Sequence, residues 1–290
     1  MRSLEQKSVF GRSEISQSVK ITFLIDNLKN RDDQLFSEHG LSLWLEIDEK
    51  NILFDTGCSS YFTKNGQRLG INLNKTNFIV LSHGHYDHTG GLFKALSLTK
   101  QAQLILHPNA IIPRYSLKQN KIRPIGMPSK SKKALARLKN NIFWNSNPLL
   151  LFSGVGVTGF IPRKHFQEHT KYFFEDIKGQ RRDIIPDDQS LWINHPKFLL
   201  IITGCCHSGV LNTIDYILKL TEAYTKPLIL IGGLHLYNAT SEEITKLCLH
   251  LKLYNISHIL PAHCTGVTAS NILKEHFPTT LAYTGLELSF

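Results

Sequence analysis

Long apolar runs are missing from this sequence of 290 residues. The longest, Phe198–Ile202 and Leu228–Ile231, have the length of β-strands, whereas a helix needs about 20 apolar residues to cross a bilayer. The stretch from Met1 to Lys20 is polar and lacks the apolar segment of a secretory signal. We therefore expect no membrane span and a cytoplasmic protein.

A disulfide framework is missing as well. The cysteines number five, Cys205 and Cys206 are adjacent, and the spacing fits no framework, so reduced thiols are expected. Glycine (19) and proline (11) are too scarce for a collagen-like or low-complexity chain, and no repeat or linker divides the sequence. With 42% apolar residues, the chain predicts one globular domain at 18–290 behind a polar lead-in at 1–17.

Acidic residues are few relative to basic ones. The 33 Lys and Arg outnumber the 23 Asp and Glu, and the formal net charge is +10. This balance suits an anionic partner, either nucleic acid or a phosphorylated small molecule, or simply a soluble basic surface. Basic side chains are densest over 130–139, where the apolar spacing predicts a short amphipathic helix with a solvated or anion-binding face.

Apolar periodicity predicts hairpin strands first, and strands alternating with helices later in the chain. The predicted strands are 19–25, 41–47, 51–54, 78–81, 103–107, 149–157, 190–194, 198–203, 228–231 and 257–260. The predicted helices are 59–70, 89–97, 209–223, 241–254 and 267–276. The weakly patterned stretch 108–147 is expected to be an insertion or lid, or else a contact in a homodimer. This order indicates a mixed α/β (α+β) fold with sheets packed face to face and helices outside.

Four candidate metal ligands occur within six positions of one loop. His83, His85, Asp87 and His88 follow the apolar run at 78–81, which is typical of a strand buried on both faces. Imidazole nitrogen and carboxylate oxygen are ligands that Zn²⁺, Fe²⁺ and Mn²⁺ accept, whereas Ca²⁺ and Mg²⁺ prefer oxygen. Neighbouring glycines permit the tight turns that aim such side chains at common points. The loop therefore predicts a transition-metal site, with room for two adjacent ions.

The loop sequence Ser82-His-Gly-His-Tyr-Asp-His-Thr-Gly-Gly91 resembles the metal-binding signature of the metallo-β-lactamase superfamily. Phe54–Gly57 is similar to the upstream Asp-x-Gly element of that superfamily, and Ile259–Gly266 to its final His motif. Five segments resemble the branch named for dihydropterin ribofuranosylaminobenzene-phosphate synthase: Thr158–Arg163, Asp187–Gln189, Thr203–Gly209, Ile231–Leu236 and His263–Gly266. The resemblance implies a four-layer αββα sandwich with two metal ions at one edge.

The resemblance also implies which residues bind the metals. The expected ligands are His83, His85 and His207 for the first ion, and Asp87, His88 and His263 for the second. Many related hydrolases have a Thr-Gly-Asp sequence whose carboxylate bridges the ions, but here Thr203-Gly204 is followed by Cys205. Either Cys205 is a thiolate ligand, or water or hydroxide alone bridges, or Asp187 or Asp188 reaches in.

Further residues are expected to act around the metals. Asp55 is expected to orient a metal-binding histidine through its second ring nitrogen. Asp87 is expected to orient the attacking hydroxide as well as to bind metal, and His235 is a candidate acid, substrate anchor or ligand. Arg163 is a candidate for binding an anionic substrate, or else a surface salt-bridging residue, and Thr265 is a candidate substrate contact.

One position departs from the pattern of the branch. Phe160 stands where the branch usually has an acidic residue, so the local substrate contacts are expected to differ. Among the remaining histidines, which include His39, only His107 is expected near the pocket, and the others are interpreted as ordinary surface or core residues.

A two-metal site favours hydrolysis, because paired ions acidify a shared water and stabilise the oxyanion that its attack generates. The sequence has no Gly-x-Ser-x-Gly element and no Walker or Rossmann phosphate loop. The favoured hypothesis is a hydrolase that cleaves an anionic small-molecule ester, best a phosphoester, with Zn²⁺ favoured over iron or manganese.

Three alternatives stay open. A synthase would condense a dihydropterin pyrophosphate with a ribofuranosylaminobenzene phosphate and release pyrophosphate. A nucleic-acid-processing hydrolase is less favoured, because no appended binding domain or basic stretch interleaved with aromatics is present. A non-catalytic metal or redox sensor would use Cys205, Cys206 and Cys264.

Overall fold

The computed structural model describes residues 14–15, 18–29, 34–119, 121–138, 140–165 and 172–290. Most of the predicted polar lead-in at 1–17 lies outside these ranges. Of the residues in this lead-in that the structure describes, Ile15 is buried, and its backbone N–H donates to the carbonyl oxygen of Asn194 (3.1 Å). No helix in the described ranges is long and apolar enough to cross a membrane.

The first sheet has seven strands. They are β1 (Val19–Ile25), β2 (Ser42–Ile47), β3 (Lys50–Phe54), β4 (Phe78–Val80), β5 (Gln103–Leu106), β8 (Ile142–Trp144) and β16 (Glu287–Ser289). Their spatial order is β16-β1-β2-β3-β4-β5-β8, antiparallel as far as β3 and parallel from β3 onward. The helices of this half are α1 (Tyr61–Arg68), α2 (Tyr86–Thr89), α3 (Leu92–Leu98) and α4 (Ser129–Leu135).

The second sheet has six strands. They are β9 (Leu149–Phe152), β10 (Val155–Val157), β12 (Leu191–Asn194), β13 (Leu199–Thr203), β14 (Leu228–Gly233) and β15 (Ile256–Ala262). Their spatial order is β15-β14-β13-β12-β10-β9, and β13, β14 and β15 run parallel. The helices of this half are α5 (Val210–Thr221), α6 (Ser241–Leu251) and α7 (Val267–His276).

A third, smaller sheet has its own strand pairing. It consists of β6 (Tyr115–Lys118), β7 (Lys121–Pro124) and β11 (Phe173–Phe174), in the order β11-β6-β7. Two of its strands, α4 and β8 all fall within 108–147, the stretch predicted to be an insertion or lid. The last of these, β8, pairs in parallel with β5 of the first sheet.

Three apolar clusters define four layers. The central cluster joins side chains from the inner faces of both sheets, among them Phe54 and Ile202. A second cluster joins the outer face of the second sheet to α5, α6 and α7, and a third joins the outer face of the first sheet to α1, α3 and α4. Strand β13 is buried along its whole length because it is covered on both faces. The predicted αββα sandwich is confirmed.

Glycines explain two differences from the predicted elements. The predicted strand 149–157 is two strands, β9 and β10, because Gly154 adopts a left-handed φ of 71° and turns the chain between them. Where a helix was predicted over 89–97, α3 begins only after Gly90 and Gly91, and Thr89 is the last residue of α2. A Cβ at Gly90 would lie 1.9 Å from the carbonyl oxygen of Cys58, so this backbone approach requires glycine.

Candidate metal centre

Five strands that end at one edge of the sandwich carry the candidate site. β3 and β4 of the first sheet lead to Asp55 and His83, while β13, β14 and β15 of the second lead to Cys205, His235 and His263. Parallel neighbours end side by side, and this edge is where ligands bind in such sheets. The packing of the two sheets therefore brings together residues that are far apart in the sequence.

The His-rich loop is held in place on both sides. A Cβ at Gly84 would lie 2.1 Å from the carbonyl oxygen of Ala110, so only glycine fits there. The N–H of Gly84 donates to Asp187 Oδ2 (2.7 Å), and the N–H of Tyr86 donates to the carbonyl of Ile125 (2.9 Å). These contacts fix the backbone from which His83 and His85 project.

The first predicted ligand set forms a buried cluster of imidazoles. His83 Nε2 lies 2.9 Å from His85 Nδ1, and the ring centroid of His207 lies 4.8 Å from that of His83 and 4.9 Å from that of His85. Burial and the neighbouring imidazoles hold the pKa of all three rings well below the usual histidine value. These rings are therefore neutral at pH 7 and have lone pairs available for a metal.

The second predicted set meets around one carboxylate. Asp87 Oδ2 lies 3.2 Å from His263 Nε2 and 3.9 Å from His88 Nε2, and the two ring nitrogens are 3.2 Å apart. Burial alone would lower the pKa of His88, but the carboxylates of Asp55 and Asp87 raise it to about 9. Burial alone would raise the pKa of Asp87, but His88 and hydrogen bonds from His263 and His39 hold it well below its usual range.

Asp55 contacts the candidate ligands in the manner expected of an orienting residue. Its Oδ2 lies 2.7 Å from His88 Nδ1 and accepts a hydrogen bond from Ser82 Oγ (2.6 Å), while its Oδ1 accepts one from the Ser82 N–H (2.7 Å). Ser82 Oγ in turn lies 2.9 Å from His83 Nδ1. A carboxylate on one ring nitrogen of a histidine fixes the orientation and tautomer of the ring. Because Asp55 holds Nδ1 of His88, Nε2 is the nitrogen available to a metal.

Cys205 lies at the junction of the two sets. Its Sγ is 3.2 Å from His88 Nε2. The sulfur also lies within 4.8 Å of the ligand atoms of His83 and His207, and within the same distance of those of His88 and His263. Three alternatives are open for the bridging position. The geometry favours Cys205, because its side chain lies within reach of both sets.

Asp187 and Asp188 have other partners. Besides Gly84, Asp187 binds the buried guanidinium of Arg114 through Oδ1, and Arg114 Nη1 lies 3.3 Å from Asp183. Asp188 Oδ2 accepts a hydrogen bond from the N–H of Ser208 (2.8 Å). Neither aspartate is part of a candidate metal-binding group among the described residues. A bridging role for either aspartate stays a prediction, while in this structure both carboxylates bind the loops that carry the candidate ligands.

Three residues at this edge were not found from the sequence. Asp26 Oδ2 accepts the N–H of His263 (2.8 Å), and Asn27 Oδ1 lies 2.8 Å from His263 Nδ1. His39, interpreted from the sequence as ordinary, lies with Nε2 3.2 Å from Asp87 Oδ2, and this hydrogen bond raises the pKa of His39. All three lie before the His-rich loop, where no motif indicates them. An Asp-Asn pair directly after a predicted strand was the one available signal.

The predicted substrate-contacting residues differ in their surroundings. His235 lies beside the first set, with its ring centroid 4.3 Å from that of His207. Thr265 Oγ1 accepts a hydrogen bond from the N–H of Leu234 (3.0 Å), and Arg163 Nη2 donates to the carbonyl of Ile185 (3.0 Å). Phe173, which the sequence did not indicate, lies 5.4 Å by ring centroids from His207 and 5.7 Å from His235.

His107 lies near the loops that hold the site. Its Nδ1 accepts the N–H of Asn109 (3.1 Å) at the start of a short 3₁₀ turn, and burial lowers its pKa, which the nearby charges of Asp187 and Arg114 also influence. It belongs to no candidate metal-binding group in the described ranges.

The donors fit a pair of borderline divalent ions. Imidazole nitrogens, a carboxylate and a cysteine sulfur are the ligand types that zinc and its transition-metal neighbours take once the ligands are deprotonated. Neither ring nitrogen of His207 has a hydrogen-bond partner among the described residues, although both are buried. Buried polar atoms seldom stay unsatisfied, and coordination to a metal would satisfy one of them.

Comparison with known proteins agrees with this geometry. The sequence model of the metallo-beta-lactamase superfamily matches residues 38–209, which include the His-rich loop, Cys205 and His207. The chain belongs to the metallo-β-lactamase superfamily. Its resemblance to the dihydropterin-related branch of this superfamily is likewise supported by a relative of that name.

Two relatives come from Methanocaldococcus jannaschii. One is named 7,8-dihydropterin-6-methyl-4-(beta-D-ribofuranosyl)-aminobenzene-5'-phosphate synthase and is 28% identical over 271 residues, 90% of this chain and 92% of that protein. The other is an uncharacterized protein, 31% identical over 260 residues, 88% of this chain and 94% of that protein.

The fold of this chain is also similar to the crystal structure of Tm1679, described as a metal-dependent hydrolase of the beta-lactamase superfamily. The two are 29% identical with a TM-score of 0.76, over 93% of this chain and 98% of that one.

Proposed function

We propose that this protein is a dinuclear metal-dependent hydrolase that cleaves an ester, best a phosphoester, of an anionic small molecule. The observation that carries the proposal is the convergence of two buried ligand sets on Cys205 Sγ. The similarity to Tm1679 favours hydrolysis, and the net charge of +10 favours an anionic substrate.

Six residues would hold the metals, with zinc as the favoured ion: His83, His85 and His207 for one, and Asp87, His88 and His263 for the other. When bound, two divalent ions would acidify a shared water and stabilise negative charge on the substrate. The chain itself fixes the donors, because Asp55 orients His88 and Asn27 orients His263 through their second ring nitrogens.

Two side chains are proposed to act on the reacting groups. Asp87 is ionised at neutral pH, since its pKa lies well below its usual range, so it can accept a hydrogen bond that orients the attacking water. His235, beside His207, would donate a hydrogen bond to a substrate oxygen. Arg163 and Thr265 are proposed to bind the anionic group; Thr265 accepts from Leu234 and keeps its own hydroxyl hydrogen to donate.

A synthase reaction is the second candidate. The observation that favours it is the relative named as a synthase, which is similar along 90% of this chain. In that case the same site would join a dihydropterin pyrophosphate to a ribofuranosylaminobenzene phosphate. The leaving group would be pyrophosphate, and water would not be consumed.

The test starts with metal content. Protein purified without added metal is expected to carry about two equivalents of a transition metal, which the double variant His83→Ala/His263→Ala should lose. The matched control, His195→Ala/His250→Ala, removes two histidines outside the site and should keep the metal. Release of inorganic phosphate from a phosphoester panel would support the hydrolase, and release of pyrophosphate from the two synthase substrates would support the alternative. Absence of metal, with no uptake on reconstitution, would overturn both.

A further inference from the structure

Two sulfur atoms and one imidazole meet beside the proposed dinuclear site. Cys205, His235 and Cys264 each offer one ligand atom, and these three atoms lie within 4.8 Å of one another. Both thiols are buried and His235 is half-buried. The proposed hydrolysis makes no use of Cys264, so the position of this buried thiol beside Cys205 and His235 needs its own explanation.

The fold builds the group from three strand ends. Cys205 follows β13, His235 follows β14, and Cys264 follows β15. Gly233 leaves room for the sulfur, because a Cβ there would lie 2.6 Å from Cys264 Sγ. Cys264 Sγ also lies 3.7 Å from the carbonyl oxygen of Cys205, which joins two of the three loops.

The loop that carries His235 is held on both sides. The N–H of Leu234 donates to Thr265 Oγ1 (3.0 Å), and the N–H of Tyr237 donates to the carbonyl of Cys264 (3.1 Å). Between these two bonds, His235 adopts a left-handed φ of 51°. Non-glycine residues rarely take this conformation, and it persists where the surroundings impose it, often at ligand-binding positions. The backbone therefore fixes the imidazole next to the two thiols.

We propose that Cys205, His235 and Cys264 form a binding site for a soft, thiophilic cation of the Cd²⁺ or Cu⁺ class. Two sulfurs and one imidazole are a softer donor set than the imidazoles and carboxylate of the two main sets, so such an ion prefers this corner of the pocket. Each thiol would lose its proton to solvent as the ion binds.

Sharing of Cys205 couples this site to the dinuclear centre. The same sulfur lies within reach of His83 and His207, and of His88 and His263. A soft cation held by Cys264 and His235 therefore draws the thiolate away from the position between the two main sets. Binding of the soft cation is expected to weaken binding of the borderline ions.

The probe for the test is Cd²⁺. The background is the His83→Ala/His263→Ala variant, which lacks one ligand of each main set but keeps all three residues of the soft site. Cd²⁺ is expected to bind there and to produce the ultraviolet charge-transfer absorption of thiolate-bound cadmium. Addition of Cys264→Ala should remove this absorption and weaken binding by more than about 100-fold, since loss of an outer partner alone costs about 10- to 100-fold.

The matched control is Cys206→Ala in the same background. Cys206 is buried and adjacent to Cys205, but its Sγ contacts Thr213 Oγ1 (3.4 Å) and it belongs to none of the candidate groups in the described part of the chain. Its removal should leave the cadmium absorption unchanged. Thiolate absorption that survives Cys264→Ala, or that is lost equally with Cys206→Ala, would overturn the proposal.

Two further measurements keep the result interpretable. Circular dichroism and thermal unfolding show whether each variant folds, and Cys264→Ser serves if the alanine variant does not. A count of free thiols under nitrogen, after removal of reductant, tests whether Cys205 and Cys264 are joined as a disulfide. The metal content of the unmodified protein tests the dinuclear site separately, so either proposal can fail while the other stands.

Discussion

Asp187 and Asp188 are neighbours in the chain but bind two different loops of the candidate metal centre. Asp187 Oδ2 accepts the N–H of Gly84 (2.7 Å), between His83 and His85, and Asp188 Oδ2 accepts the N–H of Ser208 (2.8 Å), next to His207. One dipeptide therefore links the two loops that carry the first set of imidazoles. Neither carboxylate needs to touch a metal in order to influence its binding.

The variant Asp188→Ala tests this link. Loss of the acceptor for Ser208 should loosen the loop that holds His207, and affinity for one of the two metals should fall about 10- to 100-fold. Competition against a chelating indicator measures the change. Asp176→Ala is the control, because Asp176 also accepts backbone N–H groups, from Lys178 and Arg181, but in an exposed turn. Equal effects of the two substitutions would contradict the assigned role.

Arg114 is expected to be essential for stability. Its buried guanidinium binds Asp187 and lies 3.3 Å from Asp183, which is itself buried. Substitution of Arg114→Met removes the cation that contacts these two buried carboxylates, which should lower the free energy of unfolding by about 3 to 5 kcal/mol. Urea unfolding with a chelator present measures this loss without a contribution from bound metal. In the double variant with Asp187→Asn the loss should be smaller than the sum of the two single losses, and strict additivity would count against the pair.

The sequence was sufficient for the parts of the site that are local. His83, His85, Asp87 and His88 fall within six residues after one buried strand, so their spacing alone places four donors in one loop. The core strands were also predictable, because apolar alternation follows from burial of a face. At these positions, neighbours in the sequence are also neighbours in the structure, so the sequence alone is enough to predict them.

The remaining parts depend on contacts between distant segments. Asp26 and His263 are 237 positions apart and meet only because β1 and β15 end at the same edge. No spacing rule relates them, and the same holds for His39 and Asp87, whose contact depends on the path of the chain after β1. The turn at Gly154 was missed for another reason, since the apolar residues of β9 and β10 on either side read as one continuous strand.

Thr240 should contribute to stability and not to metal binding. Its Oγ1 accepts the N–H of Glu243 (3.2 Å), and the Glu243 side chain accepts the N–H of Thr240 (2.6 Å), which forms a capping box at the start of α6. Substitution of Thr240→Ala should lower the free energy of unfolding by about 1 kcal/mol, with unchanged metal content. Thr245→Ala, in the body of the same helix, is the control and should change stability by less than about 0.5 kcal/mol. An equal loss at both positions would show that the cap is not the cause.

Metal binding at the second set should release a proton at neutral pH. Asp55 and Asp87 raise the pKa of His88 to about 9 in the metal-free protein, so the ring is protonated at pH 7 and must lose that proton before Nε2 can bind a metal. Apparent affinity should therefore rise by up to about tenfold per pH unit from this group toward pH 9 and less steeply above it, because one fewer proton is then displaced. Calorimetric titration in buffers of different ionisation enthalpy counts the protons released.

Asp55→Asn provides the matched variant for this measurement. It keeps the shape of the side chain but removes the carboxylate that contributes most to raising the pKa of His88. That pKa should fall, so fewer protons should be released at pH 7 and the dependence of affinity on pH should weaken between pH 7 and 9. Affinity itself should also decrease, since an amide orients the ring less firmly than a carboxylate does. Proton release that is the same in both proteins would mean that His88 is already neutral in the metal-free site.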